Sequence, residues 1–331
     1  VRARARDYDE SDVRIRPGRG SRPRSKRRPD HADAAEAMVI AVDRGRWTCA
    51  LGGKADLPMI TAMRARELGR TPIVVGDRVG LVGDLSGDAD TLARIVRVED
   101  RRTVLRRTAD DTDAYERVIV ANAEQLVIVT ALADPPPRSG FVDRCLVAAY
   151  AGGLAPVLCL TKSDLAEPEP FAQQYAELEV PVVVTRRDRP PTQLAELLAG
   201  RVSALVGHSG VGKSTLVNAL VPDATRAVGA VSAVGRGRHT TSAAIALPLP
   251  CGTGWVVDTP GVRSFGLAHV TPDDVPAAFD DLAVAIEDCP RGCGHLGPPA
   301  DPECALDTLV ERGALRPGRL AALRRVLVAL R

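Results

Sequence analysis

Apolar positions along the chain fall into three rhythms. Between residues 37 and 107 they come as short alternating runs: AMVIAVD (37–43), RWTCALG (46–52), PMITAMRAR (58–66), RVGLVGD (78–84) and TLARIVRVED (91–100), parted by DRG, GGK and GD turns. Period-two alternation of this length marks half-buried strands. Five of them in about 70 residues predict a small closed β-barrel, for which the oligonucleotide-binding fold is the commonest solution. From 118 to 265 the apolar runs become nearly continuous: VIVANAEQLVIVTAL (118–132), APVLCLTKSD (155–164), VPVVVTRR (180–187), RVSALVGHSG (201–210) and GWVVDTPG (254–261). They alternate with helical periodicity near 141–152, 171–179, 192–199 and 213–220, which predicts a mostly parallel sheet covered by helices. After 270 the pattern is helical, interrupted at 289–304. Residues 1–35, with RIRPGRGSRPRSKRRP at their centre, hold too little apolar surface to offset the entropy of ordering and read as a disordered basic arm.

Composition sharpens the division. The chain is 45% hydrophobic and 26% charged, ordinary for a globular protein. Its 3% aromatic content weighs against recognition by base stacking. No apolar run approaches the ~18 residues of a membrane span, and the arginine-rich start is not followed by the apolar core of a secretory signal, so the expected compartment is the cytoplasm with no membrane partner. The net charge of +2 hides a partition of +5 over 1–35, +3 over 36–107, −11 over 108–310 and +5 over 311–331. Residues 13–29 alone carry eight Lys/Arg and no acid. Basic ends around an acidic centre predict that the ends meet a polyanion such as RNA; solvated surface charge is the competing reading.

Chemistry concentrates in four motifs. GHSGVGKST (207–215) matches GxxxxGK[ST], follows an apolar strand and opens a helix, the context a phosphate loop requires. Its members Gly207, His208, Ser209, Gly210, Val211, Gly212, Lys213, Ser214 and Thr215 are expected to wrap phosphate with backbone N–H groups. Lys213 would bridge the β and γ phosphates, and Ser214 would ligate Mg²⁺. WVVDTPG ends a strand in Asp258, expected to hold Mg²⁺ through water, with the Gly261 amide sensing the γ-phosphate. TKSD, comprising Thr161, Lys162, Ser163 and Asp164, resembles the guanine selector of GTPases. Asp164 would accept from ring and exocyclic N–H groups that adenine lacks, with Lys162 along the ring. Thr161, where Asn is more usual, is expected to cost one strut between loops. GRGRHTTS (235–242) supplies Thr240 or Thr241 to complete the Mg²⁺ shell and His239 as the nearest polar group to orient water, since Val262 after DTPG cannot do so. An ATP-using phosphotransferase and an RNA-binding switch without turnover share the phosphate loop. TKSD argues against the first, and Val262 keeps the second open.

Cys289, Cys293, His295 and Cys304, spaced Cys-x₃-Cys-x-His-x₈-Cys, fit a closed tetrahedral Zn²⁺ site of structural kind. The remaining cysteines (Cys49, Cys145, Cys159, Cys251) sit among apolar or small residues and read as core hydrophobes.

Ordinary GTPases place the phosphate loop first and the base selector later; here the base selector precedes the phosphate loop, which precedes DTPG, so the sheet must be circularly permuted. In the order TKSD, GHSGVGKST, GRGRHTTS, DTPG and Cys/Cys/His/Cys, with PIVVGDRV (72–79) and VANAEQLVIV (120–129) before them, the chain resembles the ribosome small-subunit-dependent GTPase A (RsgA) family over about 37–331. The resemblance implies an oligonucleotide-binding barrel over 36–107, a circularly permuted α/β P-loop GTPase core over 108–267 and a small helical zinc-binding domain over 268–331. It also implies GTP hydrolysis late in small-subunit maturation, stimulated by that subunit, with contact to its rRNA and His239 assisting hydrolysis. The expected protein is a monomer holding one structural Zn²⁺ and Mg²⁺ with GTP. Two departures stand out. The insert before the last metal ligand exceeds the family's usual five residues, and VVVTRRDRP near Val184–Thr185 lacks a serine-alanine signature, so the fifth nucleotide loop is unassigned.

Overall fold

The computed structural model describes residues 31–88, 90–108, 116–222, 244–259, 267 and 269–330. The basic stretch 13–29 lies outside them.

Five strands, β1 (Ala35–Asp43), β2 (Arg46–Leu51), β3 (Met59–Arg64), β4 (Arg78–Gly83) and β5 (Ala93–Val98), close in the order β1-β2-β3-β5-β4-β1. Only the β3–β5 pairing is parallel. The alternation that predicts these strands has a physical destination. Ala37, Val39, Trp47, Cys49, Ile60, Val79, Leu81 and Ile95 fill the barrel. β1 carries an unbroken run of five buried residues, because Met38 and Ile40 on its other face join the core that also holds Leu126 and Ile128.

A hairpin of β6 (Val104–Thr108) and β7 (Glu116–Ala121) follows. The apolar run 118–132, which reads as one strand, is therefore two. It breaks at Asn122, which takes a positive φ of 53°, donates from its side chain to Gly76 O and accepts from Arg102 N–H. Asn is among the few residues that enter this region readily, and here two long-range side-chain bonds hold it there.

The second sheet comprises β8 (Gln125–Ala131), β9 (Ala155–Thr161), β10 (Val182–Val184), β11 (Val202–Val206), β12 (Ile245–Pro248) and β13 (Trp255–Asp258), in the order β10-β9-β8-β11-β13-β12. All pairings are parallel except β12–β13. Helices α1 (Ser139–Gly152), α2 (Glu169–Ala176), α3 (Thr192–Leu198) and α4 (Lys213–Leu220) cover it. One face packs Leu126, Ile128 and Leu158 on α1 and α2; the other packs Val127, Val129 and Leu205 on α3 and α4. Burial on both faces is why these strands lack alternation. β12 pairs beyond β13 with β1 at Ile245↔Ala41, so barrel and parallel sheet form one eleven-stranded surface. Trp255 Nε1 donates to Gly53 O across the same junction at 2.9 Å.

The C-terminal region holds α5 (Asp280–Ala283), α6 (Ala305–Glu311) and α7 (Pro317–Val328) between short 3₁₀ turns. Leu306, Leu320, Leu323 and Val326 enter the core that contains α1, so this region shares a core rather than building its own. Among the described residues no helix is long and apolar enough to cross a membrane.

Two expectations change. Cys49, Cys145 and Cys159 are buried as core hydrophobes, but Cys251 is exposed in the turn between β12 and β13, with its thiol directed at Thr253 O. Among the described residues, most charges of the basic C-terminal end are paired with acids. Arg316 meets Glu177, Arg319 meets Glu179 and Asp281, Arg324 meets Asp307, and Arg325 lies 3.5 Å from Asp143. The acidic centre neutralises this helix, so its charge count overstates what a polyanion would meet.

Candidate functional site

Three strand ends converge on a cavity of about 560 Å³. The phosphate loop leaves β11 at Gly207 and enters α4 at Lys213. A Cβ on Gly207 would stand 2.6 Å from Val129 O, so no larger residue fits against β8. Gly212, immediately before α4, has φ +92°, a conformation costly for a side chain. The loop thus turns sharply with its N–H groups at a helix start, an arrangement suited to phosphate. Gly207, His208, Ser209, Gly210, Gly212, Lys213, Ser214 and Thr215 line the cavity; Val211 is buried behind it.

Asp258 ends β13, and its register opposite Leu205 sets its carboxylate beside the loop. Lys213 Nζ donates to that carboxylate and, at 2.7 Å, to Thr259 O. Thr259 is fully buried and its hydroxyl donates to Leu205 O at 2.6 Å, pinning the end of β13 to β11.

The TKSD segment leaves β9. Thr161 Oγ1 donates to Val211 O at 2.6 Å, with Thr130 O further off at 3.3 Å. The strut expected to be lost with Asn is therefore present: a buried threonine hydroxyl reaches the phosphate loop directly. Lys162, with φ +59°, donates to Asp134 O. Thr161 and Lys162 line the cavity, whereas Ser163 and Asp164 do not. Ser163 N–H points to Thr185 O at 3.4 Å.

Two neighbouring segments were not assigned from the sequence: one lines the cavity, the other packs against its phosphate loop. The first is Thr185–Arg189: buried Thr185 is tied by its N–H to Leu160 O, and Arg186, Arg187 and Arg189 edge the cavity. Arg186 pairs with Asp188, which together with the more distant charge of Asp164 raises its guanidinium pKa. The position next to Val184 was the available signal, but the side chains there carry none of the usual motif. The second is 134–141, where the Phe141 ring lies 3.9 Å from that of His208. Burial, then the charge of Arg138, pushes His208 below its ordinary pKa. His239, Thr240, Thr241, Gly261 and Val262 lie outside the described residues.

Some distance along the chain, the ligand atoms of Cys289, Cys293, His295 and Cys304 all lie within 4.8 Å of one another. Bonds of ~2.3 Å to sulfur and ~2.1 Å to nitrogen would set tetrahedral ligand atoms about 3.6–3.8 Å apart. His295 Nδ1 stands 3.5 Å from Cys289 Sγ and 4.0 Å from Cys304 Sγ. Burial pushes the Cys293 thiol up to about 12 and raises that of Cys289; a cation among the sulfurs opposes this by favouring thiolates. The donor set therefore fits zinc. The long insert is ordered by Asp301, whose two oxygens accept from Gly294 N–H and Leu296 N–H at 2.9 Å each.

A permuted P-loop sheet whose phosphate loop, TKSD segment and strand-end aspartate meet at one cavity defines a circularly permuted GTPase. The family model "RsgA GTPase" matches residues 98–268. A "Small ribosomal subunit biogenesis GTPase RsgA" from Chlorobaculum tepidum is 38% identical over 75% of this chain and 82% of that protein. One from Gemmatimonas aurantiaca is 37% identical over 81% and 88%. YjeQ from Thermotoga maritima aligns in structure with TM-score 0.61 at 26% identity, over 89% of this chain and 98% of that one. YloQ, described as a circularly permuted GTPase, has the same fold with TM-score 0.64 at 22% identity, over 92% and 97%. The chain belongs to the RsgA GTPase family.

Proposed function

We propose that this GTPase acts late in maturation of the small ribosomal subunit, hydrolysing GTP to GDP and phosphate when that subunit and its rRNA engage it, in the cytoplasm and as a monomer. The convergence of Thr161–Lys162, the 207–215 loop and Asp258 on one cavity carries the nucleotide reading. The names of the relatives support the ribosomal partner.

In this reading the N–H groups of 207–215 hold the β-phosphate, and Lys213 exchanges Asp258 and Thr259 O for β- and γ-phosphate oxygens. That exchange frees the Asp258 carboxylate, which with Ser214 and Thr240 or Thr241 would hold Mg²⁺. Hydroxyl and carboxylate oxygens suit that hard cation, which when bound neutralises charge developing on the phosphates. As the γ-phosphoryl passes to water, negative charge grows on the departing β-oxygen, where Lys213 and the loop N–H groups concentrate. His239 orients the attacking water, and the Gly261 amide reads the γ-phosphate. Asp164 and Lys162 select guanine, with the base entering between TKSD and Thr185–Arg189. The Cys289, Cys293, His295 and Cys304 set holds one structural zinc. The barrel and the basic residues before it provide the surface for rRNA, since most charges of α7 are already paired.

The test is GTP hydrolysis by the purified protein, alone and with small subunits, with ATP and large subunits as controls. A slow basal rate raised strongly and only by small subunits is expected; no response to either subunit overturns the ribosomal assignment.

A further inference from the structure

Asp273 lies outside every motif legible in the sequence, yet its carboxylate Oδ1 stands 2.6 Å from His295 Nε2. The His295 ring is fully buried, and its other nitrogen, Nδ1, faces the sulfurs of Cys289 and Cys304. A carboxylate only accepts hydrogen bonds, so the proton it meets belongs on Nε2 and the lone pair on Nδ1. The residues on either side keep that orientation. Asp301 accepts from the N–H groups before and after His295, and Arg324 Nε donates to His295 O at 3.0 Å. Asp273 is itself held in a capped turn, where Asp274 accepts from Thr271 N–H at 2.6 Å and from its hydroxyl at 2.8 Å.

From this geometry we infer that Asp273 is the positioning residue that selects Nδ1 of His295 as the metal-binding nitrogen and fixes the ring's orientation. Through this bond the metal fastens the segment that follows the Asp258 strand onto the C-terminal loop. The inference rests on the zinc reading above, and it adds a residue from outside the 289–304 cluster. Carboxylates in this relation to a ligating histidine typically strengthen metal binding by about 10–100-fold. Asp273 is largely exposed, so water competes for its oxygens and the lower part of that range is expected.

Zinc competition against a chromogenic chelator, with the full chain as wild type, Asp273→Ala and Asp273→Asn, reads the effect. Asp273→Ala should weaken zinc binding at least ~10-fold. Asp273→Asn, which keeps an acceptor oxygen without the charge, should fall between. A merely structural role would not restore affinity in that graded way. In zinc-loaded wild type labelled with ¹⁵N-histidine, His295 should show its proton on Nε2 and metal on Nδ1, a measurement that does not depend on either variant folding. A proton on Nδ1, or zinc affinity in Asp273→Ala within twofold of wild type, overturns the role of Asp273 while leaving the zinc site standing. Wild type that takes up no zinc overturns the zinc reading and this inference with it.

Discussion

The nucleotide cavity and the metal cluster are built in opposite ways. The four candidate metal ligands fall within 16 residues, from Cys289 to Cys304, in a Gly- and Pro-rich loop that runs directly into the short helix α6. The cavity draws Thr161 and Asp258 from two strand ends and Lys213 from the start of α4, a span of almost 100 residues that strand register brings together. On the zinc reading the first arrangement would draw further order from a cation, beyond the bonds of Asp301; the second depends on a sheet assembled by strand register, so the cavity is preorganised and would spend little of its binding energy on folding.

Stripping the metal tests that contrast with the largest expected effect. Apparent zinc binding on the order of 10 kcal/mol is what such a loop stands to lose. Amide exchange across 289–304 should rise toward that of exposed chain, while α7 stays protected through Leu320, Leu323 and Val326. GTP affinity should hold. If GTP binding collapses with the metal, the two sites are one cooperative unit and the contrast fails.

A smaller effect is expected at the cavity. Lys213→Ala removes the cation that meets Asp258 and Thr259 O here. It should slow single-turnover hydrolysis by about 10²–10³-fold, the usual loss for one transition-state donor, with zinc content unchanged. A rate within tenfold of wild type would remove Lys213 from the chemistry.

The smallest expected effect sharpens the account of preorganisation. Thr161→Val keeps the shape but deletes the hydroxyl that donates to Val211 O, leaving a buried carbonyl without that partner. A cost of about 1–3 kcal/mol should appear as weaker GTP binding and a lower melting temperature. Thr161→Asn should restore much of both. If Thr161→Val binds GTP as wild type does, the link between the two loops contributes nothing to the site.

How much was legible beforehand follows the same division. Glycine positions, the lysine-serine pair and the cysteine spacing are local necessities: a phosphate needs a sharp turn at a helix start, and a tetrahedral ion needs four close donors. These could be read from 207–215 and 289–304. The Thr185–Arg189 wall could be placed near Val184–Thr185 but not assigned, because its side chains lack the usual motif and Thr185 is held chiefly by its backbone bond to Leu160 O. The split of 118–132 into two strands was legible in part: the polar residues Asn122, Glu124 and Gln125 interrupt the apolar run where Asn122 takes its positive φ. The basic character of α7 misled because charge counts ignore acids brought close by folding, here Glu177, Glu179, Asp281 and Asp307.

The amino-acid order by itself determined the five-stranded barrel, the permuted succession of motifs and the four metal donors, since alternation, turn chemistry and spacing act over a few residues. Only the tertiary structure decided that β1 joins barrel to β12, that Thr161 bridges to Val211 and that Asp273 meets His295. Each of these pairs residues far apart in the chain, and the free energy that selects them comes from packing and register, which no local pattern encodes.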